Sequence, residues 1–278
     1  MGLVNKKALI LWSFGLGGVA LVVIGLTVSF WLLPRMGWGT QPANSRDVAS
    51  NASVRVASRF PSPSREQALE SVKQALLNRD PNQVESLFRL GATRHVEVIG
   101  FLQSLEGKDG QISRYDWMSS MDTGGILLEG VQVFFTSEDQ SGERIAFLTP
   151  DLLGNWKVDF DAFARVVAPS WSVILDHQAD EALVRVQVGR DVYFNGPFQD
   201  ESQWACYGMT SPDIDVTLLG YCRIGSVEAD AMEQLFSTGV TNSRATLKIR
   251  RVEGGESRQF EVVGVMAGDW VVPELPQD

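Results

Sequence analysis

The sequence predicts an α+β protein made of an N-terminal transmembrane helix, a linker and two small α+β domains. Three observations predict this. Ala8–Leu33 is a run without a single charge. A stretch rich in glycine, proline, serine and asparagine follows it. Beyond residue 63, segments with helical apolar spacing give way to segments that alternate like strands, with Gly, Pro and Asp turns between them. The 278 residues are 44% hydrophobic and 21% charged. That suits packed domains and excludes a wholly disordered, collagenous or cysteine-rich chain.

As a helix, residues 8–33 would measure ~39 Å at ~1.5 Å per residue, against a hydrocarbon core of ~30 Å, so the run can span with tilt. Trp12 near one end, and Trp31 and Trp38 near the other, suit the two interfaces. The competing reading is a cleaved signal peptide, with an apolar region of ~7–15 residues and a small-residue cleavage site. Pro34-Arg35-Met36-Gly37-Trp38 is a poor match to such a site. Lys6 and Lys7 outweigh Arg35, which places residues 1–7 in the cytoplasm as a tail. The expectation is therefore a single-pass, signal-anchored protein of the cell membrane. The membrane is its partner through residues 8–33, residues 34–63 are a flexible linker, and the folded domains are extracytoplasmic.

Charge narrows the function. Only Lys6 and Lys7 of the 24 basic residues precede residue 34, all 34 acidic residues follow it, and the net charge is -10. Such a surface repels phosphate backbones, so no nucleic-acid partner is expected. Two Cys and two His leave little for a metal site. There is no phosphate loop, dinucleotide fingerprint, zinc pattern or Gly-x-Ser-x-Gly elbow. Asp159-x-Asp161 and Asp213-x-Asp215 lack the Gly and terminal Glu of a calcium loop and read as solvated turns. No catalytic, cofactor-binding or metal residue is assigned, and no cofactor is expected.

The first domain is placed at residues 64–165. Ser64 and Gln67 form a capping box ahead of the apolar face Ala68, Leu69, Val72, Ala75 and Leu76. Asp80 caps a second helix that starts on Pro81, with Val84, Leu87 and Phe88 inward. A third helix from Thr93 would bury Val96, Ile99, Leu102 and Leu105. Strands are expected at 130–135, 144–149 and 155–160. Ala75-Leu76-Leu77-Asn78-Arg79-Asp80-Pro81 through Val84-Glu85-Ser86-Leu87-Phe88, with Trp156-Lys157-Val158-Asp159-Phe160 at the close, resembles NTF2-like (SnoaL-like) domains. The resemblance implies helices wrapped by a curved antiparallel sheet, often around a pocket. Enzymes of that family use His and acidic residues inside the cone. Here only His95 is in reach, so no activity carries over, and many members are non-catalytic assembly or binding modules.

The second domain is placed at residues 169–273. Strands are expected at 171–175, 182–188, 204–208 and 218–222. Ser226 caps a helix to about residue 237, in which Val227, Ala231, Leu235 and Phe236 are the apolar positions. A hairpin of 245–252 and 259–266 follows. Two segments echo each other at an offset of 114 residues: Arg144 with Gly154-Asn155-Trp156, and Arg258 with Gly268-Asp269-Trp270. This reads either as a duplication or as two ordinary hairpins.

Two groups of residues carry candidate roles. Cys206-Tyr207-Gly208 mirrors Gly220-Tyr221-Cys222, which predicts an antiparallel register with Cys206 opposite Cys222 and Tyr207 opposite Tyr221. A disulfide between Cys206 and Cys222 and a pair of buried free thiols are both open. Tyr193, Phe194, Asn195, Trp204 and Tyr207 form a dense aromatic cluster. It reads as a recognition lip for a peptide or glycan, or as a turn pinned by buried rings. The functional expectation is a membrane-anchored, non-catalytic binding or assembly module, with a peptide, a glycan or an envelope protein as partner. The alternative is an enzyme acting on a small molecule in a pocket of the first domain, which would need His95, Tyr115, Asp116 and Asp122 around one cavity.

Overall fold

The computed structural model describes residues 60–91, 93–122, 127–137 and 141–273. These described residues make one compact unit. The expected tail at 1–7, the anchor at 8–33 and all of the linker but its last four residues lie outside the described residues. Among the described residues, no helix is long and apolar enough to cross a membrane. This corrects the expected transmembrane, single-pass and signal-anchor architecture and the cell-membrane placement drawn from it. The last linker residues are held to the first lobe: Trp156 Nε1 donates to the Pro61 carbonyl at 3.1 Å.

The first lobe opens with α1 (Arg65–Leu77), a 3-10 turn at Pro81–Gln83, α2 (Val84–Leu87), β1 (Phe88–Arg89) and α3 (His95–Asp109). The Ser64–Gln67 capping box forms in both directions. Asp80 caps its turn through the Asn82 N–H, and that turn is 3-10 rather than α. Four further strands follow: β2 (Gln111–Asp122), β3 (Leu127–Thr136), β4 (Ser141–Pro150) and β5 (Trp156–Asp159). The sheet order is β1-β5-β4-β3-β2, antiparallel except for β1 against β5. One face of the sheet meets the helices through Val72, Leu76, Val98, Leu102, Val133 and Leu148.

Two details differ from the expectation. In α3 the buried face is Val98, Leu102 and Leu105, whereas Val96 is exposed. The long strand β2 was not expected, because register shifts against β3 between Ile112 and Arg114 and between Trp117 and Ser119 break the two-residue alternation. Gly110 makes the sharp passage from α3 into β2. Its φ is 93°, and a Cβ there would lie 2.5 Å from the Thr136 carbonyl oxygen.

A four-residue helix, α4 (Phe160–Phe163), ends the first lobe, capped by Asp159. The segment expected as a strand at 171–175 is instead α5 (Trp171–Leu175). The second lobe then runs β6 (Glu181–Asp191), β7 (Trp204–Thr210), β8 (Leu218–Arg223), α6 (Val227–Gln234), β9 (Asn242–Arg250) and β10 (Gln259–Ala267). These five strands form a closed barrel in the order β10-β8-β7-β6-β9, parallel only between β8 and β10. The expected second α+β domain is thus a closed barrel with α6 against its core, a closure the sequence reading did not include. Alternation shows which side chains point inward but does not show that β9 pairs back onto β6 while β10 pairs with β8. The winding is that of a five-stranded Greek-key barrel of the OB type. Val184, Val186, Met209, Leu218, Leu247 and Phe260 belong to its core, and Ala229 and Met232 of α6 pack against them.

The 114-residue echo separates in space. Trp156 opens β5 and pairs opposite Pro150 in its own sheet. Trp270 leaves the barrel to join Leu128, Phe147 and Ala162 of the first lobe. Arg144 is buried, whereas Arg258 lies in an exposed loop. The shared feature is the hairpin alone.

Candidate binding groove

The barrel register places the two thiols apart. Ala205 pairs with Cys222 and Cys206 with Tyr221, one residue away from the predicted register. Cys222 therefore points into the barrel core, and Cys206 points outward into a separate cluster with Phe198, Leu219 and Tyr221. Both are free. Burial pushes the Cys222 thiol up to about 12 and also raises Cys206. The mirrored tripeptides misled because Tyr221 packs outside the barrel and Tyr207 inside it, so the two rings do not face each other.

The structure brings four of the five lip residues together. Phe194 and Trp204 join the outer cluster, where Phe198 stacks on Tyr221 with ring centroids 3.9 Å apart and Trp204 meets Phe198 edge-on at 4.9 Å. Tyr193 hydroxyl donates to Glu256 at 3.0 Å, and the Asn195 amide also donates to Glu256. Those bonds hold the Glu256 carboxyl below its usual range. Gln259 Nε2 donates to Asn195 at 2.6 Å and to the Tyr221 hydroxyl at 3.0 Å. Tyr207 is not part of this group. Its ring is in the barrel core and its hydroxyl donates to Glu233 at 2.9 Å. The loop is thus tied to itself and to the β9–β10 turn by buried rings and a closed hydrogen-bond network. Tyr221, Glu256 and Gln259 complete it from beyond the short window in which the sequence showed a cluster, and Phe198, inside that window, supplies the ring on which Tyr221 stacks.

The catalytic set named for the first domain is not brought together. His95 lines a shallow groove of about 570 Å³ with Glu85 and Lys157, and neither Tyr115 nor Asp116 is among its lining residues. Tyr115 packs toward the helices, with the Lys73 ammonium 5.7 Å from its ring centre, whereas Asp116 pairs with Arg114 at 3.0 Å. The side chain of Asp122 lies outside the described residues. Among the described residues, no group of three or more His, Cys, Asp or Glu could hold a metal ion.

A larger concavity of about 1150 Å³ lies where the end of α6, the start of β9 and the end of β10 meet, and Met121 of β2 reaches it from the first lobe. Its apolar lining is Leu235, Val240, Val265 and Met266. Val240 and Met266 are 42% and 43% exposed, so these walls are open to a partner. Gln187, Gln234 and Asn242 bring side-chain amides to the same space. Arg244 also lines it and meets Asp269 through two bonds of 2.9 Å. Asp269 in turn accepts from the Trp270 N–H, and the Asp269 carbonyl accepts from Thr246 Oγ1 at 2.9 Å. The charge pair is therefore internally neutral and built into the segment that joins the lobes. Gly189 lets Asn242 approach, since a Cβ there would lie 2.7 Å from Asn242 Oδ1. Amides, apolar walls and a satisfied ion pair suit non-covalent binding of an uncharged, partly polar ligand. These residues come from separate segments with no common motif, which is why the sequence did not reveal them.

Comparison of the chain with family models, curated proteins and solved structures finds no match.

Proposed function

We propose that this chain is a non-catalytic binding or assembly module, and that the groove beside α6 and the end of β10 is its ligand seat. The observation that carries the reading is the pairing of about 1150 Å³ of open concavity with amide and apolar walls and a neutralised Arg244–Asp269 pair. Such a lining favours an uncharged segment of peptide or glycan over an ionic metabolite. The acidic balance of the chain argues against a nucleic-acid ligand. The resemblance of residues 64–165 to NTF2-like domains is kept as part of the proposal, in their non-catalytic role. Its support is the packing of α1 and α3 on one face of a largely antiparallel sheet.

Calorimetric titration of the full chain with a panel of uncharged oligopeptides and neutral oligosaccharides tests the reading. The expected result is saturable binding of at least one member that is lost in Thr238→Trp, whose exposed position on the groove wall tolerates a large ring. Binding unchanged in Thr238→Trp, or none across the panel, overturns the groove as the seat.

A further inference from the structure

Among the described residues, β2 is the outermost strand of its sheet and pairs with β3 alone. A long outer strand presents one unpaired row of backbone N–H and C=O groups, and proteins blunt such edges or pair them. The two register shifts confine the regular part of β2 to the stretch Arg114, Tyr115, Asp116 and Trp117, which pairs residue for residue with Phe134 to Val131. In that stretch Arg114 and Asp116 lie on one face and Tyr115 on the other. Their side chains are 62% and 45% exposed, and they form an ion pair of 3.0 Å across the same strand.

This charge order is self-complementary under a two-fold axis. If two copies of β2 run antiparallel with the axis at Tyr115, Arg114 of each copy stands opposite Asp116 of the other. Tyr115 then stands opposite its own copy on the helix-covered face. A two-fold axis normal to the sheet keeps each side chain on its own face, so the pairing needs no change of register within either copy. Opposite charges directly across an antiparallel pair favour that register, and like charges oppose its alternatives. We propose that the free edge of β2 joins a second copy of this chain, closing two five-stranded sheets into one continuous sheet with two crossed Arg114–Asp116 pairs.

The test uses the full chain and two exposed substitutions, Arg114→Asp and Asp116→Arg, with mass measured by light scattering and by native mass spectrometry. The wild type is expected to carry twice the mass of one chain. Each variant alone faces like charge with like and is expected to dissociate, with at least tenfold weaker self-association. An equimolar mixture of the two variants restores both attractive pairs and is expected to yield the mixed dimer selectively. The doubly swapped chain, Arg114→Asp with Asp116→Arg, is expected to pair with itself. A monomeric wild type overturns the proposal. So does a dimer that both single variants leave intact, or a mixture that forms no heterodimer while circular dichroism shows both variants folded.

Discussion

The guanidinium of Arg185, on β6 of the barrel, donates to the carbonyl of Trp270 at 2.9 Å and to the carbonyl of Val166. It also lies 3.6 Å from the Asp161 carboxylate of the first lobe. Trp270 returns the contact to the barrel, because its Nε1 donates to the Val186 carbonyl at 3.0 Å. One short segment after β10 is therefore held from both sides. Arg89 extends the hold by donating to the Val272 carbonyl at 2.7 Å.

That hold makes Trp270 a joint between the lobes. Trp270→Ala removes a buried ring packed on Leu128, Phe147 and Ala162 and is expected to cost about 3–5 kcal/mol. Urea unfolding of the variant should show the loss. A change below about 1 kcal/mol would mean that the joint lies elsewhere.

Acid should loosen the junction through Asp213. Burial pushes this carboxyl up, but the bidentate Arg165 fork, the charge of Arg144 and the Ser211 hydroxyl together hold it below its usual range. A depressed folded-state value means that the stabilisation is fully present above the unfolded value of about 4 and is lost as the pH falls through the folded one. Asp213→Asn is expected to be less stable at neutral pH and to show a shallower loss of stability below about pH 4. Identical acid-unfolding profiles for the two proteins would contradict the assignment.

The cysteines give a chemical check on the barrel register. Alkylation of the denatured, unreduced protein is expected to modify both Cys206 and Cys222. In the native state, Cys222 should resist alkylation at pH 8, because it is fully buried and its thiol is pushed up to about 12. A protein that takes up no label after denaturation would carry the disulfide that the observed register disallows.

What the sequence revealed and what it hid follow one physical line. Features set within a few residues were legible: the Ser64–Gln67 box, the Asp80 and Ser226 caps and the two hairpins all form. Features set by long-range pairing were not. Barrel closure joins β6 to β9 across some sixty residues, and strand alternation carries no record of that partner. β2 was hidden because its bulges reset the alternation twice. The one-residue error at Cys206 and Cys222 shows how little fixes register in a short, symmetric pair of tripeptides. The candidate groove was hidden more deeply, since Gln187, Leu235, Asn242 and Met266 meet only after the barrel has closed.

This groove, and not the locked loop around Tyr193, is the proposed seat of the ligand. The most direct measurement is methyl NMR of the full chain, labelled at Met, Leu and Val and titrated with the tightest uncharged oligopeptide or oligosaccharide from the calorimetric panel. Saturable shifts are expected at Met121, Leu235, Val240, Val265 and Met266, with Leu219 and Val252 beside the locked loop unmoved. Shifts confined to Leu219 and Val252, with the groove methyls unchanged, would contradict this seat.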